Sequence, residues 1–297
     1  MKDLSREQFE ILTFFCEEPG VSVANLPGKT RKMEKVTIEK TLSELETNGL
    51  ICNGAVTEKG LQALEPYRVR RAVFLAAGFG TRLVPVTLNT PKPLVRVHGK
   101  RIIDGLLDAV IAAGIEEIYI VRGYLAEQFD QLLYKYPMVR FIENPEYSKT
   151  NNISSAIYAK EHLGNAYILE SDLLLCNPKV IRKYHYCSNY LGFYKECSDD
   201  WCFTVKNGYI SSQKIGGVNC YQEFGISYWD EETGRKLASD LKEVYGQPGG
   251  KDVFWDYVPF TTFPDRYFVE VCECNESDII EIDSFQELKR IDKTYDV

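Results

Sequence analysis

The chain has 297 residues, enough for about two domains. Its 44% hydrophobic and 26% charged content is that of an ordinary globular protein and excludes a disordered, collagen-like or coiled-coil chain. The net charge of −8 argues against a general nucleic-acid binder, and no apolar run reaches the ~18–20 residues that span a bilayer.

The first residues, MKDLSREQFE, lack the basic-then-apolar order of a signal peptide. The nine Cys are odd in number and scattered, and only three His accompany them (His98, His162 and His185). These features read as reduced thiols in a cytoplasmic protein, with neither a zinc site nor a His-dependent triad expected.

In chain order, residues 4–17 place Phe9, Leu12, Phe15 and Cys16 on one helical face, with Ser5 as cap and Pro19-Gly20 as stop. A second short helix is predicted near Val21–Leu26 and a third over Val36–Asn48, ending at Asn48-Gly49. Two short apolar segments flank Asn53-Gly54, and a further helix starts at Thr57. Helix, helix, helix, hairpin is the order of a winged helix, so residues 1–68 are read as a small winged-helix-like domain and 69–297 as the main domain. The phrase G-L-I…V-T-E-K-G-L (49–61) resembles the wing of bacterial winged-helix regulators, which implies DNA contact. Charge opposes this: residues 1–70 carry ten basic and eleven acidic side chains, against the basic face that DNA binding needs. Lys29, Arg31, Lys32, Lys35 and Lys40 are the one basic cluster that favours it. The competing reading is a packing or dimerisation module.

From Arg70 the pattern changes. Strands are predicted at 71–77, 94–97, 116–123, 139–144 and 166–170, with helices at 102–113, 125–134 and 154–161 between them. Such alternation means a doubly wound, mainly parallel α/β sheet, with functional groups at the carboxyl ends of its strands. Positions 184–260 hold 17 of the 37 aromatic residues and all three Trp, which reads as a β-rich aromatic subdomain.

The most informative stretch is Leu75-Ala76-Ala77-Gly78-Phe79-Gly80-Thr81-Arg82, followed by Pro85, Thr87, Asn89 and Pro91-Lys92-Pro93-Leu94. Gly78 and Gly80 after a strand let the backbone approach a phosphate and present N–H groups to it. Arg82 and Lys92 add positive charge. The pattern is neither a P-loop nor a full dinucleotide fingerprint.

This composite resembles the nucleotidyltransferases that couple an NTP to a phosphorylated small molecule and release pyrophosphate, over about residues 71–292. The resemblance implies a Rossmann-like fold, a Gly-rich loop around the triphosphate, Arg82 on the phosphates and Lys92 on the reacting α-phosphate. Further stretches at 121–129, 144–155, 167–172, 199–201, 225–230, 252–256 and 279–284 resemble the bacterial CTP:phosphocholine cytidylyltransferases, some of which carry an N-terminal winged-helix segment. CTP and a small phosphorylated amino alcohol are the implied partners. Phosphoethanolamine, 2-aminoethylphosphonate and sugar-phosphate acceptors remain as alternatives, as does a DNA-binding regulator; no membrane partner is expected, and an oligomer is compatible with the chain.

Asp172 ends a buried strand, and Glu281 and Asp283 lie two apart, so in an extended segment they share a side. Carboxylates from two strand ends suit Mg²⁺. The resemblance implies Asp172 and Asp283 as its ligands, although Glu170 stands where the family often has Asp. Loop residues Tyr124, Thr150, Asn151 and Asn152 are expected to face the nucleotide, although turn chemistry explains the Asn equally well. A quaternary ammonium is held by aromatic faces and a carboxylate. Trp201, Tyr228 and Trp255 are the expected cage, with Asp252 as counter-charge.

Overall fold

The computed structural model describes residues 3–18 and 33–296. These fall into two compact units. One holds the residues up to Arg68 together with Tyr184–Tyr186; the other holds Val69–Lys183 and the chain from Cys187 onward.

In the first unit, helix α1 (Arg6–Glu17) starts at a capping box in which the Ser5 hydroxyl accepts from the Gln8 N–H. Helix α2 (Lys35–Thr47) precedes a hairpin of β1 (Ile51–Cys52) and β2 (Ala55–Val56), and α3 (Glu58–Leu64) is capped by Thr57. Asn53 and Gly54 both adopt the left-handed conformation that a tight hairpin turn requires. Ile11, Leu12, Phe15, Ile38, Leu45 and Tyr67 form this unit's core. Val36, apolar in sequence, is 74% exposed. The helix expected near Val21–Leu26, its Pro19-Gly20 neighbour and the basic residues 29, 31 and 32 lie outside the described residues.

The second unit is built on a seven-stranded sheet. In chain order its strands are β3 (Arg71–Ala76), β6 (Glu117–Arg122), β7 (Val139–Glu143), β8 (Ala166–Glu170), β10 (Asn189–Lys206), β11 (Tyr209–Trp229) and β12 (Glu270–Glu273). Their spatial order is β12-β10-β11-β8-β3-β6-β7. Strands β8, β3, β6 and β7 are mutually parallel. The long β11 joins the edge of β8 antiparallel and β10 pairs antiparallel with β11, so the aromatic-rich stretch continues the parallel sheet.

Alternation along each strand divides the core. Phe74, Ile118, Ile120, Leu169, Phe224 and Ile226 pack on the face covered by α4 (Ile102–Ala112). Val73, Leu75, Val121, Ile168 and Trp229 pack on the other, with α5 (Ile153–Tyr158) and α6 (Glu231–Tyr245). Full burial of such side chains is worth roughly 1.5–3 kcal/mol each, which fixes the register that aims the strand ends.

Two predicted elements differ. Of 94–97 only β4 (Arg96–Val97) is strand, paired with β5 (Lys100–Arg101), because Pro91 and Pro93 turn Lys92–Leu94 into a 3₁₀ segment. The segment Ala126–Tyr134 is 3₁₀ rather than α, entered from Leu125 in the left-handed conformation.

Candidate active site

The carboxyl ends of β3 and β8 open on a cavity of about 350 Å³. Its floor is the backbone of Leu75, Ala76 and Ala77, held to β8 by the Ser171 hydroxyl, which donates to the Leu75 carbonyl at 2.7 Å. The glycine-rich loop forms one wall. Gly80 has a φ of +62°, and a Cβ there would lie 2.9 Å from the Lys92 Cβ, so loop and lysine are pressed together. Thr87 donates to the Gly80 carbonyl at 2.9 Å and accepts, through its own carbonyl, the Tyr124 hydroxyl at 2.9 Å. The Tyr124 ring packs against Phe79 with centroids 5.2 Å apart. Tyr124 thus braces the loop from outside and does not line the cavity, a correction to its expected nucleotide-facing place.

Lys92 is buried beneath this loop. Its ammonium donates to Asp172 Oδ2 at 2.8 Å and to Asp283 Oδ1 at 3.3 Å, and Arg82 donates to the same Asp283 oxygen at 2.6 Å. A two-stranded ladder brings the acids together: β9 (Leu173–Leu175) pairs antiparallel with β13 (Ile279–Glu281), setting Glu281 opposite Leu173, beside Asp172. Helix α7 (Phe285–Ile291) follows, and its Glu287 side chain accepts from the Asp283 N–H at 2.8 Å.

Oxygen atoms of Asp172, Glu281 and Asp283 all lie within 4.8 Å of one another. Burial works to lower the Lys92 pKa, but the charges of Asp172, Asp283 and Glu281 outweigh it and hold the ammonium above its usual value. Desolvation, then the charges of Asp172 and Asp283, push Glu281 up to about 8. Asp172 Oδ1 is buried and meets no hydrogen-bond donor of the described residues. A carboxylate oxygen so placed, among two further carboxylates, fits a hard divalent cation.

The opposite wall is a zipper of two loops. The Asn151 N–H donates to the Lys251 carbonyl at 2.8 Å and the Asn151 side chain to the Asp252 carbonyl at 3.1 Å. Asn152 Oδ1 accepts the Trp255 N–H at 2.9 Å, and its Nδ2 donates to Glu170 at 3.2 Å. Thr150 lines the cavity with its hydroxyl turned to the Glu146 carbonyl at 3.0 Å.

Of the expected cage, Trp201 meets Phe254 and Tyr257 edge-on, with centroids 5.9 and 6.1 Å apart. Trp255 is 1% exposed and spends its indole N–H on Glu170 at 3.2 Å. Tyr228 is a correction: strand alternation turns it to the α4 face, where it packs on Tyr167 and donates to Asn165 at 2.8 Å, at the far end of β8. Asp252 is solvent-exposed, on a shallow groove with residues 148–151.

Sequence reasoning missed a buried acidic cluster that meets the cavity at Glu170. The register of β11 against β8 places Gly225 opposite Glu170 and Glu223 two residues past the end of β8. Gln213 bridges Glu223 at 3.0 Å and Asp256 at 2.9 Å through its Nε2, and Tyr190 reaches Asp256 at 3.5 Å. Burial, then the neighbouring Asp256, push Glu223 well above its usual value, burial with Asp172 does the same to Glu170, and burial raises Asp256. Gln213 Oε1 is buried and meets no donor of the described residues. The one available signal was Glu223, Gly225 and Ser227 alternating with Phe224, Ile226 and Tyr228 along the last part of β11.

Among known proteins, the family model described as Nucleotidyl transferase matches residues 71–178. A 2-aminoethylphosphonate cytidylyltransferase of Lancefieldella rimae is 35% identical over 228 residues, 75% of this chain and 92% of that one. A choline-phosphate cytidylyltransferase of Streptococcus pneumoniae is 35% identical over 230 residues, 75% of this chain and 97% of that one. The solved CTP:phosphocholine cytidylyltransferase of Streptococcus pneumoniae superposes with a TM-score of 0.70 at 33% identity, covering 76% of this chain and 99% of that one. With that identity across nearly the whole length of two cytidylyltransferases, the chain belongs to the nucleotidyltransferase family and is an enzyme of the cytidylyltransferase branch.

Proposed function

We propose that the enzyme transfers CMP from CTP to phosphocholine, giving CDP-choline and pyrophosphate. The observation that carries the reading is the Lys92–Asp172–Asp283 cluster beneath a glycine-rich loop, in a cavity that Thr150, Asn151, Asn152 and Glu170 also line. An oxygen of the acceptor phosphate attacks the α-phosphorus of CTP, the new P–O bond forms, and the bond to the β-phosphate oxygen breaks. A phosphomonoester is largely dianionic at neutral pH, so no general base is required, consistent with the absence of His from the cavity wall.

What remains is positioning and charge. Gly78, Gly80 and Thr81 offer backbone N–H groups to the triphosphate, and Lys92 and Arg82 neutralise its charge. Asp172, Asp283 and Glu281 would hold a divalent cation of the magnesium type, which supplies further neutralisation of the phosphates. Trp201, with the acids beside it, is assigned to the ammonium head-group, and Thr150 and Asn152 to the nucleotide. The core-buried Trp255 backs the Glu170 carboxylate rather than facing a cation, a correction to its expected place in the cage.

One observation favours a second reading, in which the acceptor is 2-aminoethylphosphonate or phosphoethanolamine. Glu170, which lines the cavity, and Glu223 and Asp256 behind it, with the unmatched Gln213 Oε1, form an acceptor-rich cluster, and only a primary ammonium donates N–H bonds to such groups. Pyrophosphate release measured over a panel of NTPs and over these three acceptors tests both. A preference for CTP with phosphocholine supports the first reading, better turnover of the primary amines promotes the second, and absence of release from CTP with every acceptor overturns both.

A further inference from the structure

The Glu170 carboxylate stands where three segments meet. It ends β8, two residues before Asp172, and its Oε1 accepts from Asn152 Nδ2 and from Trp255 Nε1, both at 3.2 Å. Asn152 in turn accepts the Trp255 backbone N–H. The cavity-lining loop 150–152, assigned above to the nucleotide, and the segment 252–257, beside the residues assigned to the acceptor, are thus tied to each other and, through one carboxylate oxygen, to the sheet.

The room for this carboxylate is itself specific. Gly225 on β11 lies directly against it, and a Cβ there would come within 2.4 Å of Glu170 Cγ and 2.7 Å of its Cβ. The pairing is between a long acid on one strand and a residue without a side chain on the next. An aspartate at 170, shorter by one methylene, would draw its oxygens back from both Asn152 and Trp255.

We propose that Glu170, seated over Gly225, is a positioning residue that locks loop 150–152 to segment 252–257, so that filling one half of the site orders the other. This rests on the cytidylyltransferase reading of the cavity. Ordering the shared wall once, when the first substrate binds, lowers the entropic cost left for the second.

The test uses the full-length enzyme with steady-state kinetics and thermal unfolding. E170A removes two hydrogen bonds at once and should raise the acceptor KM ~10-fold or more at saturating CTP, with a smaller fall in kcat. It should also abolish the dependence of acceptor KM on CTP concentration. E170Q keeps the Oε1 acceptor and should stay within ~3-fold of wild type, whereas E170D should resemble E170A. G225A should reproduce E170A by displacing the carboxylate, and the E170A/G225A double variant should be no worse than E170A alone.

Additive effects of E170A and G225A, or a lowered Tm in E170A with unchanged acceptor KM, would overturn the proposal. Should no acceptor be turned over, the functional reading fails while the strut is still read on CTP alone. W255F should then reduce the CTP-induced rise in Tm in the wild-type background and add nothing in E170A. An equal rise with and without the Trp255 indole N–H refutes the strut.

Discussion

Lys92→Ala is the most demanding test of the charge arrangement. Lys92 is 8% exposed and its ammonium touches both Asp172 and Asp283, whose side chains are 25% and 33% exposed. Removing it leaves the carboxylates of Asp172, Glu281 and Asp283 crowded within 4.8 Å, with Arg82 as the cation still bonded to Asp283. Two unit charges ~4 Å apart interact by about 4 kcal/mol at an effective dielectric constant near 20. Solvent access to the two aspartates screens this, so the loss in stability is set at ~1–2 kcal/mol, or a fall in Tm of ~2–8 °C for a unit of this size. The kinetic loss should be larger, because charge stabilisation disappears where charge develops in the reaction. A fall in kcat of at least ~10²-fold is expected, with less effect on the KM for CTP. Added Mg²⁺ should raise the Tm of the variant more than that of the wild type, since the ammonium no longer competes for Asp172 and Asp283. The assay is thermal unfolding with and without Mg²⁺ beside initial rates of pyrophosphate release. A variant with unchanged Tm, an unchanged response to Mg²⁺ and only a raised KM for CTP would mean that Lys92 is a ground-state anchor, and the reasoning would fail.

Asp172→Asn and Asp283→Asn should each lower kcat by at least ~10²-fold, and near-normal Mg²⁺-dependent turnover in either variant rejects its place at the cation. Glu281 is shifted from a usual 4.5 to about 8, so between those values the folded, metal-free protein keeps a proton that the unfolded chain has lost. Stability should therefore fall as pH rises across that window and level off above it; the Tm advantage of Glu281→Gln over wild type, followed by calorimetry from pH 4.5 to 8, should grow with pH, and a pH-independent difference contradicts the shift. Trp201→Ala should raise the KM for a cationic acceptor ~2–30-fold and leave that for CTP alone, as expected for one lost cation–π contact; an effect on CTP instead would move Trp201 to the nucleotide side. Deleting residues 1–68 should preserve turnover, and electrophoretic mobility shift at physiological salt should detect no tight duplex DNA complex of the full chain; a nanomolar, salt-sensitive complex would reverse the reading of the front unit.

What the sequence determined by itself is what short-range chemistry controls. Strand–helix alternation from Arg71 to Glu170 has one low-energy solution, a parallel sheet with its loops at the carboxyl ends, because each apolar run must be buried on both faces. The glycine-rich composite from Leu75 to Leu94 was legible because glycine, cation and proline each act on the backbone beside them. Asp172, Glu281 and Asp283 were legible as candidates from residue type and strand position. That they meet was decided by the β9–β13 ladder, which joins residues more than a hundred apart in sequence. Facing direction was likewise a tertiary matter. Tyr228 and Trp229 are neighbours in sequence, yet pairing with Tyr167 and Ala166 sends one to each side of the sheet, and only the register of β11 says which. Glu223 carries only the weak signal of its alternation with Gly225 and Ser227, and Gln213 and Asp256 carry none, since an acid in a strand is ordinarily a solvated edge residue. Their burial around one amide arises because β10 and β11 extend the sheet beyond the end of β8. Contacts of that range are set by how the whole unit packs, and no window of sequence contains them.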